Sequence, residues 1–218
     1  QYDIFNEANS QKKIEHIHLA SNISSFKSIS IPHDRDLFDS RYGFITLFAE
    51  GLDKEKTSLV PGDSLSFSFS TKSLIKISNY YLQSFNDVPP SASLNASDEE
   101  RIADIKTNSV SGYTLGPWLP DSSLSLVDFT DTLETFRFRS CEELDWATDA
   151  GVCGELQDYL SEVKTALEME DSLSAANALA EFIALVEAEK DASLTSEGYA
   201  LLYFNADYLR RRLEKEYE

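Results

Sequence analysis

The hydrophobic period of this chain changes near residue 120, and that change constrains its architecture more than any other feature. Before it, short runs alternate apolar and polar residues in the two-residue rhythm of half-buried strands. "DSLSFSFST" (63–71) is the clearest, with Leu65, Phe67 and Phe69 on one face and Ser64, Ser66, Ser68 and Ser70 on the other. "KIEHIHLAS" (13–21), "FKSISI" (26–31), "YGFITLFAE" (42–50) and "SLIKISNYYLQSF" (73–85) read the same way, and "VPGD" (60–63) reads as a turn. Several short strands with no helical pattern between them predict an antiparallel β-sandwich over residues 1–120. Residues 86–109 are polar, rich in Pro and Ser, and aperiodic until their end, as expected of a long loop or a strap. "VSGYTLGPWLP" (110–120) resumes an extended pattern and stops at Gly116-Pro117 and Pro120, the expected domain boundary.

After residue 120 apolar residues recur every three or four positions. Leu126, Phe129, Leu133, Phe136 and Leu144 predict a helix over about 125–145. Leu156, Leu160, Val163 and Leu167 predict a second over 154–168, and Ala175, Leu179, Phe182 and Val186 a third over 172–190. A fourth begins after Thr195, a suitable N-cap with Glu197 in the first turn. Short joints between such helices predict a small up-and-down four-helix bundle over 121–218. The expected fold class is therefore β followed by α, in two domains.

Charge follows the same division. Residues 1–120 hold 11 Lys and Arg against 15 Asp and Glu, a net of −4, whereas residues 121–218 hold 8 against 23, a net of −15. The second half repels nucleic acid and anionic head groups and favours cations or basic protein partners. A heavily solvated helical surface accounts for the same numbers.

No apolar run approaches the roughly 20 residues that span a bilayer. The chain opens at "QYDIFNEANSQKK" without an initiator Met, as a processed product or a cut piece would, and Gln1 is not the Cys of a lipoprotein anchor. The two cysteines, Cys141 and Cys153, flank "EELDWATDAGV". In an oxidising compartment they close a short loop at the corner of the first two helices; free thiols are the alternative. The sequons at Asn22 and Asn95 matter only in a eukaryotic secretory pathway.

The second half also resembles a known module. "AANALAEFIALVEAE", the short polar joint after it and "LTSEGYALLYFNADYL" are similar to the FIMAH domains found near the C-termini of many secreted bacterial proteins. "SVSGYTLGPW" and "LVDFTDTL" resemble the segment leading into that module, and "PGDSLSFSFST…YYLQSF" resembles an accompanying β-sandwich. The likeness covers residues 110–213 and, more weakly, 58–85. It implies a bacterial secreted, periplasmic or cell-surface location and an accessory role without catalytic residues. Cys141, Cys153 and the terminal arginines fall within that span but are not part of the matched pattern.

Candidate sites are few. Arg210–Arg212 end the last helix, where cations meet the negative end of the helix dipole, and Glu214, Glu216 and Glu218 follow at once. Three successive residues spread around the helix, so helix closure is the expected role and nucleic-acid binding is not. His16 and His18 share a strand face and, with His33, have the residue types of a transition-metal site; ordinary surface or half-buried histidines are the alternative. Asp34, Asp36 and Asp39 in "HDRDLFD" are oxygen ligands of the kind calcium takes, in a segment otherwise read as a polar hairpin loop lacking the Gly and terminal Glu of an EF-hand. Tyr80, Tyr81, Phe85, Trp118, Tyr203 and Tyr208 are the candidate interface aromatics. No nucleophile elbow, phosphate-binding loop, zinc-protease motif or dinucleotide fingerprint occurs.

The expected function is thus a non-catalytic extracytoplasmic accessory or structural subunit, without a cofactor, docked on protein partners in a larger assembly. Its most specific form is a subunit at the periplasmic face of a membrane complex. The alternative is a carbohydrate-binding module of a secreted enzyme system, using Tyr80, Tyr81, Phe85 and Trp118 as a stacking strip.

Overall fold

A computed structural model describes residues 1–10, 12–21, 28–31, 35–40, 43–49, 58–84 and 96–216. Within them the chain combines two antiparallel sheets with five helices. The strands are β1 (Tyr2–Phe5), β2 (His16–Leu19), β3 (Ser28–Ser30), β4 (Arg35–Ser40), β5 (Phe44–Ala49), β6 (Ser64–Ser70), β7 (Leu74–Gln83) and β8 (Val110–Trp118). The helices are α1 (Asp98–Thr107), α2 (Leu126–Glu142), α3 (Ala150–Glu168), α4 (Ser172–Ala188) and α5 (Ser196–Glu216). The chain divides into two units: Gln1–Ser73 with Ser78–Pro117, and Leu74–Ile77 with Trp118–Glu218.

In the first unit a three-stranded sheet runs β1-β6-β3 and a five-stranded sheet runs β4-β5-β2-β7-β8. The alternation of β6 does what its sequence asks: Leu65 and Phe67 are buried while Ser64 and Ser66 are exposed. These two join Ile17, Ile45 and Leu47 of the other sheet in one core cluster, with Tyr2, Ile4 and Leu82 packed around it. Tyr2 stacks on Phe67 with ring centroids 5.0 Å apart, and its hydroxyl donates to the Leu115 carbonyl of β8. Burial there pushes the Tyr2 phenol up to about 12. The Val60-Pro61-Gly62-Asp63 turn leads into β6, with Asp63 N donating to Val60 O at 3.0 Å. Gly62 takes the positive φ of 93° that the third position of such a turn requires.

Three elements depart from the sequence reading. The polar stretch 86–109 is not a loop throughout, because Asp98–Thr107 forms α1. Ser97 caps it, accepting from Glu100 N at 3.2 Å while the Glu100 carboxylate accepts from Ser97 N at 2.7 Å. That reciprocal capping box starts a helix whose apolar content alone would not announce one. Residues 35–40, read as part of a polar hairpin loop, form strand β4 in full register with β5. The N-terminal Tyr2–Phe5 is a strand as well, paired with β6.

In the second unit the four helices lie where the three-to-four period puts them. α3 packs between α2 and α4, and α5 packs against both α4 and α2. Phe129, Leu133, Leu156, Leu160, Leu179, Phe182, Leu201 and Leu202 are among the unit's fully enclosed side chains. Each start is capped: Ser125 by accepting from Asp128 N, Asp149 from Gly151 N and Val152 N, Asp171 from Ser174 N, and Thr195 from Gly198 N. The ends of α2, α3 and α4 turn through Asp145, Glu170 and Asp191, all with positive φ. The α2–α3 and α4–α5 joints are laced to each other. Thr148 N donates to Ser193 O, and Thr195 N to Trp146 O, both at 2.9 Å. Cys141 and Cys153 form a disulfide across the first of these corners. No described helix is long and apolar enough to cross a membrane.

Candidate functional site

Two places in the described chain bring chemistry-bearing side chains together: a patch on α5 and a buried polar network under α1. The first follows from the sequence of α5. Leu201, Leu202, Ala206, Leu209 and Leu213 fill the buried stripe, so Tyr203 and Phe204 between them turn outward. Tyr199 and Tyr203, one turn apart, stack with centroids 5.3 Å apart, and Tyr203 meets Phe204 edge to face at 5.4 Å. Lys190 Nζ lies 4.9 Å from the Tyr199 ring centroid. The Glu187 carboxylate beside Tyr203 raises its phenol above the ordinary value. Phe204 remains 50% exposed. The patch is apolar with an acidic margin, the chemistry of protein contact.

The second place lies in the five-stranded sheet. His18 faces Thr46 on β5 and Tyr81 on β7 across the ladder, on the face opposite Ile17. It is buried, with Nδ1 2.8 Å from Thr46 Oγ1 and Nε2 2.9 Å from Gln83 Oε1. Gln83 Oε1 accepts only, so Nε2 carries a proton, and the Thr46 hydroxyl donates to Nδ1 of the neutral ring. Gln83 Nε2 donates onward to the Asp104 carbonyl of α1 at 3.4 Å. Burial holds the His18 imidazole below its ordinary range, against the opposing pull of the Gln83 hydrogen bond and the Asp104 carboxylate.

This geometry places the sequence candidates. Both ring nitrogens of His18 are spent on protein partners, and His33 lies outside the described residues. Asp34 also lies outside them, and Asp36 and Asp39 belong to strand β4 rather than to a loop. No group of three or more His, Cys, Asp or Glu among the described residues is arranged to hold a metal ion. Tyr81 is buried edge-on against Phe44, with Ile105 of α1 in the same cluster. A helix unforeseen in the sequence covers that face. Tyr80 is half-buried, its ring crossing the space a side chain at Gly112 would need. Trp118 stacks on Phe129 and meets Phe136 edge-on, and Phe129 in turn contacts Tyr208, so the half-buried Trp118 and Tyr208 pack on a buried pair of phenylalanines. Phe85 lies outside the described residues, as do the sequon residues Asn22 and Asn95.

Of the five aromatic candidates among the described residues, Tyr203 sits in the outward-facing patch. Phe138, 47% exposed on α2, was not foreseen. Its position off the 129-133-136-140 stripe was the available signal.

The arginine run is absorbed by the fold. Arg210 donates to Asp207 at 2.7 Å and Glu214 at 2.9 Å, and Arg211 pairs with Asp207 at 2.6 Å. Arg212 donates to the Leu124 carbonyl at 2.6 Å and lies over the Tyr208 ring. Comparison with protein-family models and with curated proteins finds no match to this chain.

Proposed function

We propose that this chain is a non-catalytic, extracytoplasmic accessory module that docks on a larger protein assembly through its helical unit. The observation that carries the proposal is the α5 patch, where Tyr203 and a half-exposed Phe204 stand on a segment of net charge −15. Three rings clustered on one another at the surface, Tyr199, Tyr203 and Phe204, support a contact where a single exposed residue would not. The surrounding charge favours a partner with a basic rim.

The same proposal takes the two sheets as a β-sandwich, because residues of both share one core. It takes α2–α5 as an up-and-down bundle, because each helix packs on its neighbours and the joints are short. The FIMAH-like pattern over 110–213 supports an accessory role in a secreted or surface-bound bacterial protein. The Cys141–Cys153 bridge supports an oxidising compartment. A carbohydrate module is less well supported, because Tyr81 is buried against Phe44 and the face of Trp118 is stacked on Phe129.

The test is co-purification from the source cells with the wild-type chain and with Phe204→Asp. The proposal predicts a defined set of partners that the variant loses while keeping its fold by circular dichroism. Equal recovery by both proteins refutes the α5 surface.

A further inference from the structure

We propose that the outward face of α4 is a seam for a partner helix, an amphipathic segment of another protein with an apolar centre and Lys and Arg on its flanks. The inference rests on the docking reading above and extends the α5 patch onto the neighbouring helix. α4 turns Leu179, Phe182 and Val186 into the bundle. On its opposite side Leu173, Asn177, Ala180, Ala184 and Ala188 are all exposed, Leu173 by 72%. Their steps of three and four hold them within about 80° around the axis, the narrow stripe of a helix–helix seam. A helix that is apolar on both sides is one that packs on both sides.

Charge indicates what covers the stripe. Residues 121–171 hold 3 Lys and Arg against 14 Asp and Glu, whereas residues 172–218 hold 5 against 9, so the acidity of the helical unit lies mainly away from α4. The outward side of α3 presents Glu155, Asp158 and Glu162, as solvated surface does. The α4 stripe itself carries no charge, and depletion of charge at the centre of an exposed face is the mark of an interface core. Its carboxylates stand at the borders, Glu181 on one flank and Glu187 on the other, in the manner of the flanking positions of paired helices. Cations on the flanks of the incoming helix complement them. Glu187 also lies beside Tyr203, so the stripe borders the ring cluster of α5.

A second copy of the chain does not fit. Glu181 is one residue from the middle of α4, so two fully overlapping α4 helices related by a twofold axis would set Glu181 against its own equivalent. The alanines leave room for larger apolar residues on the partner, and Asn177 favours a polar residue opposite it.

The experiment places a photo-cross-linking residue at Ala184, or for comparison at the exposed Ser161 of α3, in the full chain in its source cells. The expected capture from Ala184 is a segment of a different protein with apolar residues three and four apart between basic flanks, and Ser161 does not capture it. A synthetic peptide of that segment should gain helical circular dichroism on binding the purified chain. Ala184→Glu sets a carboxylate within the seam at an exposed helix position and should weaken that binding at least tenfold with the melting temperature unchanged. Reversing both flanks, Glu181→Lys with Glu187→Lys, should weaken it about fivefold in low salt. Capture of a second copy, of an acidic or non-helical segment, or of the same segment from Ser161 would overturn the proposal. So would a peptide that binds Ala184→Glu as tightly as the wild type. If Ala184 captures nothing while Phe204→Asp still loses its partners, the α4 seam is wrong and the docking reading stands. If Phe204→Asp keeps them as well, both fall.

Discussion

Two glycines of the helical unit should respond to the same substitution with opposite signs. Gly198 sits in the first turn of α5, where that turn meets the α2–α3 joint. A Cβ built there would lie 2.5 Å from the Trp146 carbonyl oxygen and 3.2 Å from its carbon. That carbonyl cannot swing away, because it already accepts from Thr195 N at 2.9 Å. Gly154 lies in α3 with nothing within 4 Å of the same added atom. Replacing either glycine by alanine gains about 1 kcal/mol of helix propensity. At Gly154 the gain stands alone. At Gly198 it is set against overpacking of roughly 3 kcal/mol, the upper end of the usual range, since the obstacle is backbone. The expected net effects are about +1 kcal/mol for Gly154→Ala and about −2 kcal/mol for Gly198→Ala. Urea denaturation reads both as midpoint shifts at unchanged slope. If Gly198→Ala stabilises as much as Gly154→Ala, the close approach of α5 to Trp146 is wrong, and with it the lacing of the two joints.

Other expectations follow from the same geometry. Reducing Cys141–Cys153 releases a loop spanning 12 positions and should cost about 3 kcal/mol, measured as a lower melting temperature in reductant. Glu170→Gly relieves a positive φ of 57° at an exposed helix end and should stabilise by about 1 kcal/mol in the same denaturation assay. Ser97→Ala removes the capping box of α1 and should cost about 1 kcal/mol, seen as faster exchange confined to residues 98–108. Because the folded His18 sits below the ordinary histidine range, the unfolded chain binds its proton first. Stability should fall as pH drops below about 6.5 and level off below the folded value, and a pH series with and without His18→Gln checks this.

The legible parts of this chain are those where periodicity reports burial directly. β6 shows its buried face because serines and aromatics alternate without interruption, and α2–α5 show theirs because leucines recur each turn. α1 was hidden because Asp98–Thr107 presents two isoleucines and mostly charge. Its signal was the Ser97–Glu100 spacing, which marks a helix start without apolar help. β4 was hidden because "RDLFDS" has a loop's composition; what makes it a strand is its ladder with β5, a non-local term. The burial of Tyr81 and His18 was hidden along with α1. Without α1, Tyr81 reads as exposed and His18 as a surface histidine. Arg137, buried against Glu134 on α2, could not be foreseen at all, since nothing local distinguishes it from the exposed Arg211.

The claim of docking meets its most direct test in the native size of the protein. Gel filtration of a mild-detergent extract of its source cells, followed by identification of co-eluting chains, should find it with a much larger assembly. The Phe204→Asp variant, expressed in its place, should elute alone at the size of a single chain. Elution of the wild-type protein itself at that size would contradict the account.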